Sequence, residues 1–294
     1  MSSTPVTLAG RELSFTCHSG LLAGRGLPNS LEGVRECLEA VASRIEIDIH
    51  SMAADDYLVS HASRLEESTT SHGPVGRLTR DQALTLRRSD DRDSRPPLLS
   101  EIVALVLPYA SELQLDLKDW RPMPSERVCT LIALIEPLGD RALVSSGQDW
   151  NLRAIASQTD TLRLGFDPDH YIAAGPREAP VPTRLGAYGY RDDHPLALGR
   201  AQPVAEYLRG RMNDLMSLCP FASELFIEYS LLLQAAGAGV SLPGILHERG
   251  VTVSAWTLDH DAPESMAKLT ALANAGVDRV TTNTTQQFVA ALSA

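Results

Sequence analysis

The chain has 294 residues, 44% of them hydrophobic, enough to fill a sizeable core. Its 26 Lys and Arg are outnumbered by 37 Asp and Glu, for a formal charge of −11. That balance excludes a broad nucleic-acid surface, because phosphate backbones are held mainly by Lys and Arg. No window approaches the ~18 continuous apolar residues of a membrane span. Met1 to Gly10 shows no basic stretch followed by an apolar one, so the chain is expected to be soluble and cytoplasmic.

Short β-like runs alternate with segments of helical period. Leu13–His18 is an expected strand, followed by a helix over Ser30–Ala42 with Ser30 as its cap. Arg44–His50 is the second strand, and Tyr57–His61 is a short extra one. Ser89–Pro97 is a charged loop, and Leu99–Ala110 a helix. Leu113–Lys118, Ala142–Ser146 and Leu162–Phe166 are strands, with helices over Ser125–Leu138 and Leu152–Gln158 between and after them. Ser125 is the expected cap of the first of these helices. Asp167–Pro203 is long, rich in Pro and Gly, and carries Arg177, Arg184, Tyr188, Tyr190, Arg191 and His194. A loop of that length in a compact domain is usually functional or disordered. Val204–Leu218 is helical, Leu225–Tyr229 and Thr252–Leu258 are strands, Pro263–Ala275 is a helix with Glu264 in its first turn, and Arg279–Thr282 is the last strand. Strand–helix alternation at this spacing implies parallel strands with crossover helices. Eight strands in one series favour a single (β/α)₈ barrel over residues 1–294, with a loop insertion at about 167–203; a doubly wound sheet is the alternative. Cys17, Cys37, Cys129 and Cys219 lack metal-site or disulfide spacing and are expected as small core side chains.

The most informative segment is Arg44-Ile45-Glu46-Ile47-Asp48-Ile49-His50. Successive strand residues point to opposite faces, so Ile45, Ile47 and Ile49 share one side and Glu46, Asp48 and His50 the other. If the isoleucines meet the helices, the charged set points into the barrel, where an unpaired carboxylate is costly. A divalent cation resolves that cost, since carboxylate oxygens suit Mg²⁺ or Ca²⁺. An antiparallel strand with one wet face shows the same alternation. The next central strand repeats it: Leu113, Leu115 and Leu117 alternate with Gln114, Asp116 and Lys118. Lys118 is then placed either to hold a phosphate oxygen or to pack against a carboxylate.

His18 ends the first strand before a Ser19-Gly20 turn, and His61 follows the short extra strand. Both are expected at the C-terminal mouth, where barrel active sites sit. An imidazole with its ordinary pKa of ~6.5 suits general base and general acid roles alike. By parity Trp256 shares the inner face with Ser254 and either lines the site or packs in the core.

These residues resemble the glycerophosphodiester phosphodiesterases, members of the phospholipase-C-like phosphodiesterase superfamily. The likeness runs in order along almost the whole chain: His18-Ser19-Gly20, Leu27-Pro28-Asn29-Ser30-Leu31-Glu32, Glu46-Ile47-Asp48, His61-Ala62, the Thr69 to Thr79 segment, Asp116-Leu117-Lys118, Ser254 to Leu258 and Gly276 to Asn283. The resemblance implies a divalent ion, Ca²⁺ or Mg²⁺, held by Glu46, Asp48 and Asp116, and acid–base roles for His18 and His61. It further implies a small phosphodiester substrate, a role in lipid metabolism, and attack on phosphorus by a hydroxyl of the substrate's own glycerol. Lys118 and Trp256 would meet the substrate. Ser19 stands where the family has a phosphate-binding Arg, for which Arg25 is the expected substitute. Pro28 replaces a Glu, Ala62 removes a carboxylate beside the second His, and Asp116 is one methylene shorter than the family's Glu. Two other readings stay open: a barrel that has lost its chemistry and binds or regulates, and a phospholipase-D-like enzyme. The oligomeric state is not encoded in any motif.

Overall fold

In the computed structural model, which describes residues 5–53, 55–175 and 184–293, the alternating segments become eight parallel strands. These are β1 (Arg11–Cys17), β2 (Arg44–Ser51), β3 (Glu112–Leu117), β4 (Ala142–Ser146), β5 (Arg163–Phe166), β6 (Glu224–Glu228), β7 (Thr252–Trp256) and β8 (Arg279–Thr282). Each pairs with its successor, and β8 returns to pair with β1, so the sheet closes on itself as a (β/α)₈ barrel. The doubly wound alternative is thereby excluded, because an open sheet has two unpaired edges. The parity read from β2 and β3 holds. Ile45, Ile47, Ile49, Leu113, Leu115 and Leu117 are fully buried in the apolar cluster between sheet and helices. Each such side chain removed from water stabilises the fold by roughly 1.5–3 kcal/mol.

The helix Leu31–Glu39 buries Val34, Cys37 and Leu38 on one face. Ser30 caps it, accepting from the Gly33 backbone N–H at 3.0 Å. Gly33 is needed for a steric reason: a Cβ there would stand 2.6 Å from the Gly20 carbonyl oxygen. The helix thus packs directly on the turn that carries His18. One capping and one first-turn expectation fail. Ser125 is the first residue of its helix, which Pro124 precedes without a side-chain cap. Glu264 lies before its helix, at φ 57°. Three further helices, Tyr229–Gly237, Leu242–His247 and Thr285–Ser293, complete the outer ring.

Two small additions flank the barrel. Val6–Leu8 forms a hairpin with β1 through Ala9 and Gly10, both at positive φ, the geometry that suits the twist of a two-residue hairpin loop. Tyr57–Val59 pairs antiparallel with the end of β2, and the Ser60 backbone N–H donates to the Asp48 carbonyl. That pairing delivers His61 to the mouth of the barrel.

The interior of the barrel is charged rather than filled with branched aliphatic residues. Arg44, only 2% exposed, donates to Glu112 and Glu224, each at 2.7 Å. Arg163 donates to Glu112 at 2.6 Å, Arg279 approaches it at 3.6 Å, and Ser254 Oγ donates to Glu224. This network sits at the strand N-termini, opposite the mouth. Burial opposes the charge on Glu112, but Arg44, Arg163 and Arg279 hold its carboxyl down at about 2. Cys17, Cys37 and Cys219 are buried thiols as expected, whereas Cys129 is exposed on its helix.

Candidate active site

Three carboxylates meet at the mouth. Register places Asp48 of β2 beside Asp116 of β3 and Glu46 beside Gln114, and ligand oxygens of Glu46, Asp48 and Asp116 lie within 4.8 Å of one another. Glu46 is 3% exposed and Asp48 1%. Burial and the like charges of Asp48 and Asp116 push the Glu46 carboxyl well above the usual carboxylate range. Burial also works against the charge of Asp48, but Lys118, His61 and the Asn29 amide outweigh it and hold that group low.

The first turn after β1 supports the carboxylates from the backbone. Ser19 sits at φ 49° in the left-handed region, and its N–H donates to Glu46 Oε2 at 2.7 Å. Asn29, at φ 55°, binds Asp48 at both ends of its amide: Nδ2 donates to Oδ2 at 2.7 Å, and Oδ1 accepts from the Asp48 N–H at 2.9 Å. Opposite them, Lys118 Nζ lies 2.5 Å from Asp116 Oδ2 and 3.2 Å from Asp48 Oδ1. Three carboxyl groups face one ammonium, so the largely buried cluster is short of cationic partners. Asp48 Oδ1 is itself buried without an aligned hydrogen bond. Hard oxygen donors, convergent geometry and a shortage of cationic partners fit a divalent cation such as Mg²⁺ or Ca²⁺.

A cavity of about 440 Å³ opens on this cluster. His18, Glu46, His61, Asp116, Lys118 and Trp256 all line it, so the barrel brings together residues from β2, β3, β7, the turn after β1 and the segment after Tyr57–Val59. His18 Nε2 stands 3.9 Å from Glu46 Oε2. His61 is exposed, and its backbone carbonyl accepts from His50 Nε2 at 3.3 Å. Burial lowers the pKa of His50. Arg25 is not brought to the cavity: it is exposed between Gly24 and Gly26, both at positive φ, and does not line it.

Of the further lining residues, Gly147 and Gln148 escaped the sequence reading, whereas Asp167, Asp169 and His170 begin the long loop for which a functional role is one expectation. Gly147, Gln148, Asp167, Asp169 and His170 form the wall at the ends of β4 and β5. Gln148 Nε2 lies 2.8 Å from His170 Nε2, and Trp120 sets its edge on the His170 ring at 5.0 Å. Burial and neighbouring Asp169 push the Asp167 carboxyl well above its usual range. Of the loop expected at 167–203, Tyr188 and Tyr190 stack on Tyr207 of the helix Val204–Leu218 and do not line the cavity. Arg191 approaches Asp169 at 3.8 Å, and Arg177 lies outside the described residues. No signal in the sequence separates the lining part of this loop from the packing part.

No protein-family profile and no curated protein matches the chain by sequence. Solved structures do match. A phosphodiesterase from Oleispira antarctica, in complex with the product sn-glycerol-3-phosphate, superposes with a TM-score of 0.67 at 17% identity, over 95% of this chain and 96% of that one. A glycerophosphodiester phosphodiesterase from Agrobacterium tumefaciens gives 0.62 at 16% identity over 93% and 98%. The Thermotoga maritima glycerophosphodiester phosphodiesterase gives 0.59 at 15% identity over 95% and 97%. The fold is that of the glycerophosphodiester phosphodiesterases. In this glycerophosphodiester phosphodiesterase fold, the carboxylate cluster, both histidines and Lys118 share one end of the barrel. Among the described residues, no helix is long and apolar enough to cross a membrane.

Proposed function

We propose that the chain is a metal-dependent phosphodiesterase that hydrolyses glycerophosphodiesters or a similar small phosphodiester, with residues 1–294 acting as one catalytic domain. The observation that carries this reading is the convergence of Glu46, Asp116, His18, His61 and Lys118 on one cavity of about 440 Å³, with buried Asp48 beside Glu46, Asp116 and Lys118. The sn-glycerol-3-phosphate held by the Oleispira antarctica phosphodiesterase supports a glycerol-bearing phosphate as the retained half of the substrate.

Glu46, Asp48 and Asp116 would hold the divalent ion, whose chemistry is to polarise a phosphoryl oxygen and acidify the attacking hydroxyl. His18 takes the proton from the substrate's own glycerol hydroxyl as its oxygen attacks phosphorus. His61 gives a proton to the departing alcohol oxygen as the P–O bond breaks. Water then opens the cyclic phosphate with the two proton transfers reversed, leaving a phosphomonoester. Lys118 compensates the charge that develops on a non-bridging oxygen. Trp256 presents an apolar surface to the organic part, while its indole Nε1 is buried.

Glycerophosphodiesters supplied with Mg²⁺ or Ca²⁺ should release alcohol and a phosphomonoester. Chelation should stop release, and His18→Ala or His61→Ala should slow it by roughly 10²- to 10⁴-fold. No turnover across a panel of phosphodiesters, with metal present, would overturn the reading.

A further inference from the structure

We propose that Asp259 and Asn283 are positioning residues that fix the ring rotation and tautomer of His18, keeping a proton on Nδ1 and turning a bare Nε2 to the cavity. The proposal rests on the reading of His18 as a group that moves a proton.

The chain of contacts runs in one direction. Asn283 Nδ2 donates to Asp259 Oδ2 at 2.8 Å. A carboxylate only accepts, so the amide cannot be turned round without setting its oxygen against that carboxylate. Asn283 Oδ1 therefore faces His18 Nδ1, at 2.9 Å. An amide oxygen also only accepts, so His18 must carry its hydrogen on Nδ1. The other ring nitrogen points toward the carboxylates, 3.9 Å from Glu46 Oε2.

Asp259 is itself clamped. Its Oδ1 accepts from the Asn283 backbone N–H at 2.7 Å and from Thr282 Oγ1 at 3.0 Å. Thr282 Oγ1 in turn receives the Thr284 backbone N–H at 3.0 Å. Every group that orients the ring is thus tied to the end of β8 or the loop after β7. A neutral amide at Nδ1 sets the tautomer without placing another negative charge beside the carboxylate cluster. Free imidazole prefers neither orientation strongly enough to hold one without such a partner.

The test reads the tautomer first and turnover second. Two-bond ¹H–¹⁵N correlation spectra of the full-length protein, recorded between about pH 6 and about pH 9, report which ring nitrogen is protonated in a neutral histidine. The His18 signal is assigned by its loss in His18→Gln. The expected wild-type pattern is Nδ1–H. Asn283→Ala and Asp259→Ala should shift the ring to a mixture or to Nε2–H. In these variants kcat should fall roughly 10- to 100-fold with KM and metal affinity unchanged. The exchange variant Asp259→Asn/Asn283→Asp keeps an acceptor at Nδ1 and a donor–acceptor pair behind it. It should restore the Nδ1–H pattern and most of the turnover, whereas Asn283→Asp alone, with two facing carboxylates, should not. A wild-type ring in the Nε2–H form, or one unmoved by Asn283→Ala, would overturn the proposal. The wild-type spectrum decides even if a variant fails to fold. Because it needs no substrate, an Nδ1–H ring in a protein that hydrolyses no phosphodiester would sink the enzymatic reading and leave the positioning intact.

Discussion

Lys118 Nζ lies 2.5 Å from Asp116 Oδ2, so the ammonium occupies one side of the carboxylate cluster as its internal counter-charge. A divalent ion entering between Glu46, Asp48 and Asp116 competes with that ammonium for the same oxygens. Lys118→Met should therefore bind Mg²⁺ or Ca²⁺ more tightly than wild type, by several-fold, while the proposed role of Lys118 toward a phosphate oxygen predicts a fall in kcat/KM. Isothermal titration of the metal and steady-state kinetics check the two halves separately. Weaker metal binding in Lys118→Met would show that the ammonium supports the site rather than competing for it.

The opposite end of the barrel carries stability rather than chemistry. Arg44 is ~13 Å along β2 from Asp48, at about 3.3 Å per residue, and serves buried Glu224 and partly exposed Glu112. Arg44→Met leaves Glu112 and Glu224 short of their shared cation, and losing one partner of a buried pair costs about 3–5 kcal/mol. Denaturant unfolding should show a loss of that order, and metal affinity of the folded protein should be unchanged. A variant as stable as wild type would mean that Arg163 and Arg279 suffice alone.

Acid should act through Glu112. Its folded-state pKa of about 2 lies below the ordinary value of 4.5, so the unfolded chain binds the proton more readily. Its contribution is then fully present above about pH 4.5 and is lost as the pH falls toward 2. Unfolding free energy measured from about pH 6 downward should drop across that window, and Glu112→Gln should flatten the drop while lowering stability at neutral pH. An identical slope in the variant would shift the acid sensitivity to other carboxylates.

The barrel was legible because period-two alternation survives in β2 and β3, where one face must be apolar against helices and the other is charged. The same parity placed Glu46, Asp48, Asp116 and Lys118 together, since parallel register aligns neighbours at equal height. Asn283 and Asp259 were not legible as the orienters of His18. Their contact spans 265 residues and exists only because β8 closes on β1. Arg44 was hidden for a similar reason: its two glutamates come from β3 and β6, on different sides of the barrel. The helices Tyr229–Gly237 and Leu242–His247 are short and begin almost directly from a strand or a cap, leaving little period to detect. Arg25 illustrates the limit of proximity in sequence, since it is exposed and does not line the cavity although it lies seven residues after His18.

The seam where the last strand meets the first has a consequence for the order of synthesis. All three carboxylates of the acidic cluster have been made once Asp116 leaves the ribosome, but the amide that anchors His18 is supplied by residue 283. A nascent or late-truncated chain can possess all three acidic residues and still lack the side chain that His18 Nδ1 meets. The ring of His18 is in this way fixed only when the circle of strands is complete.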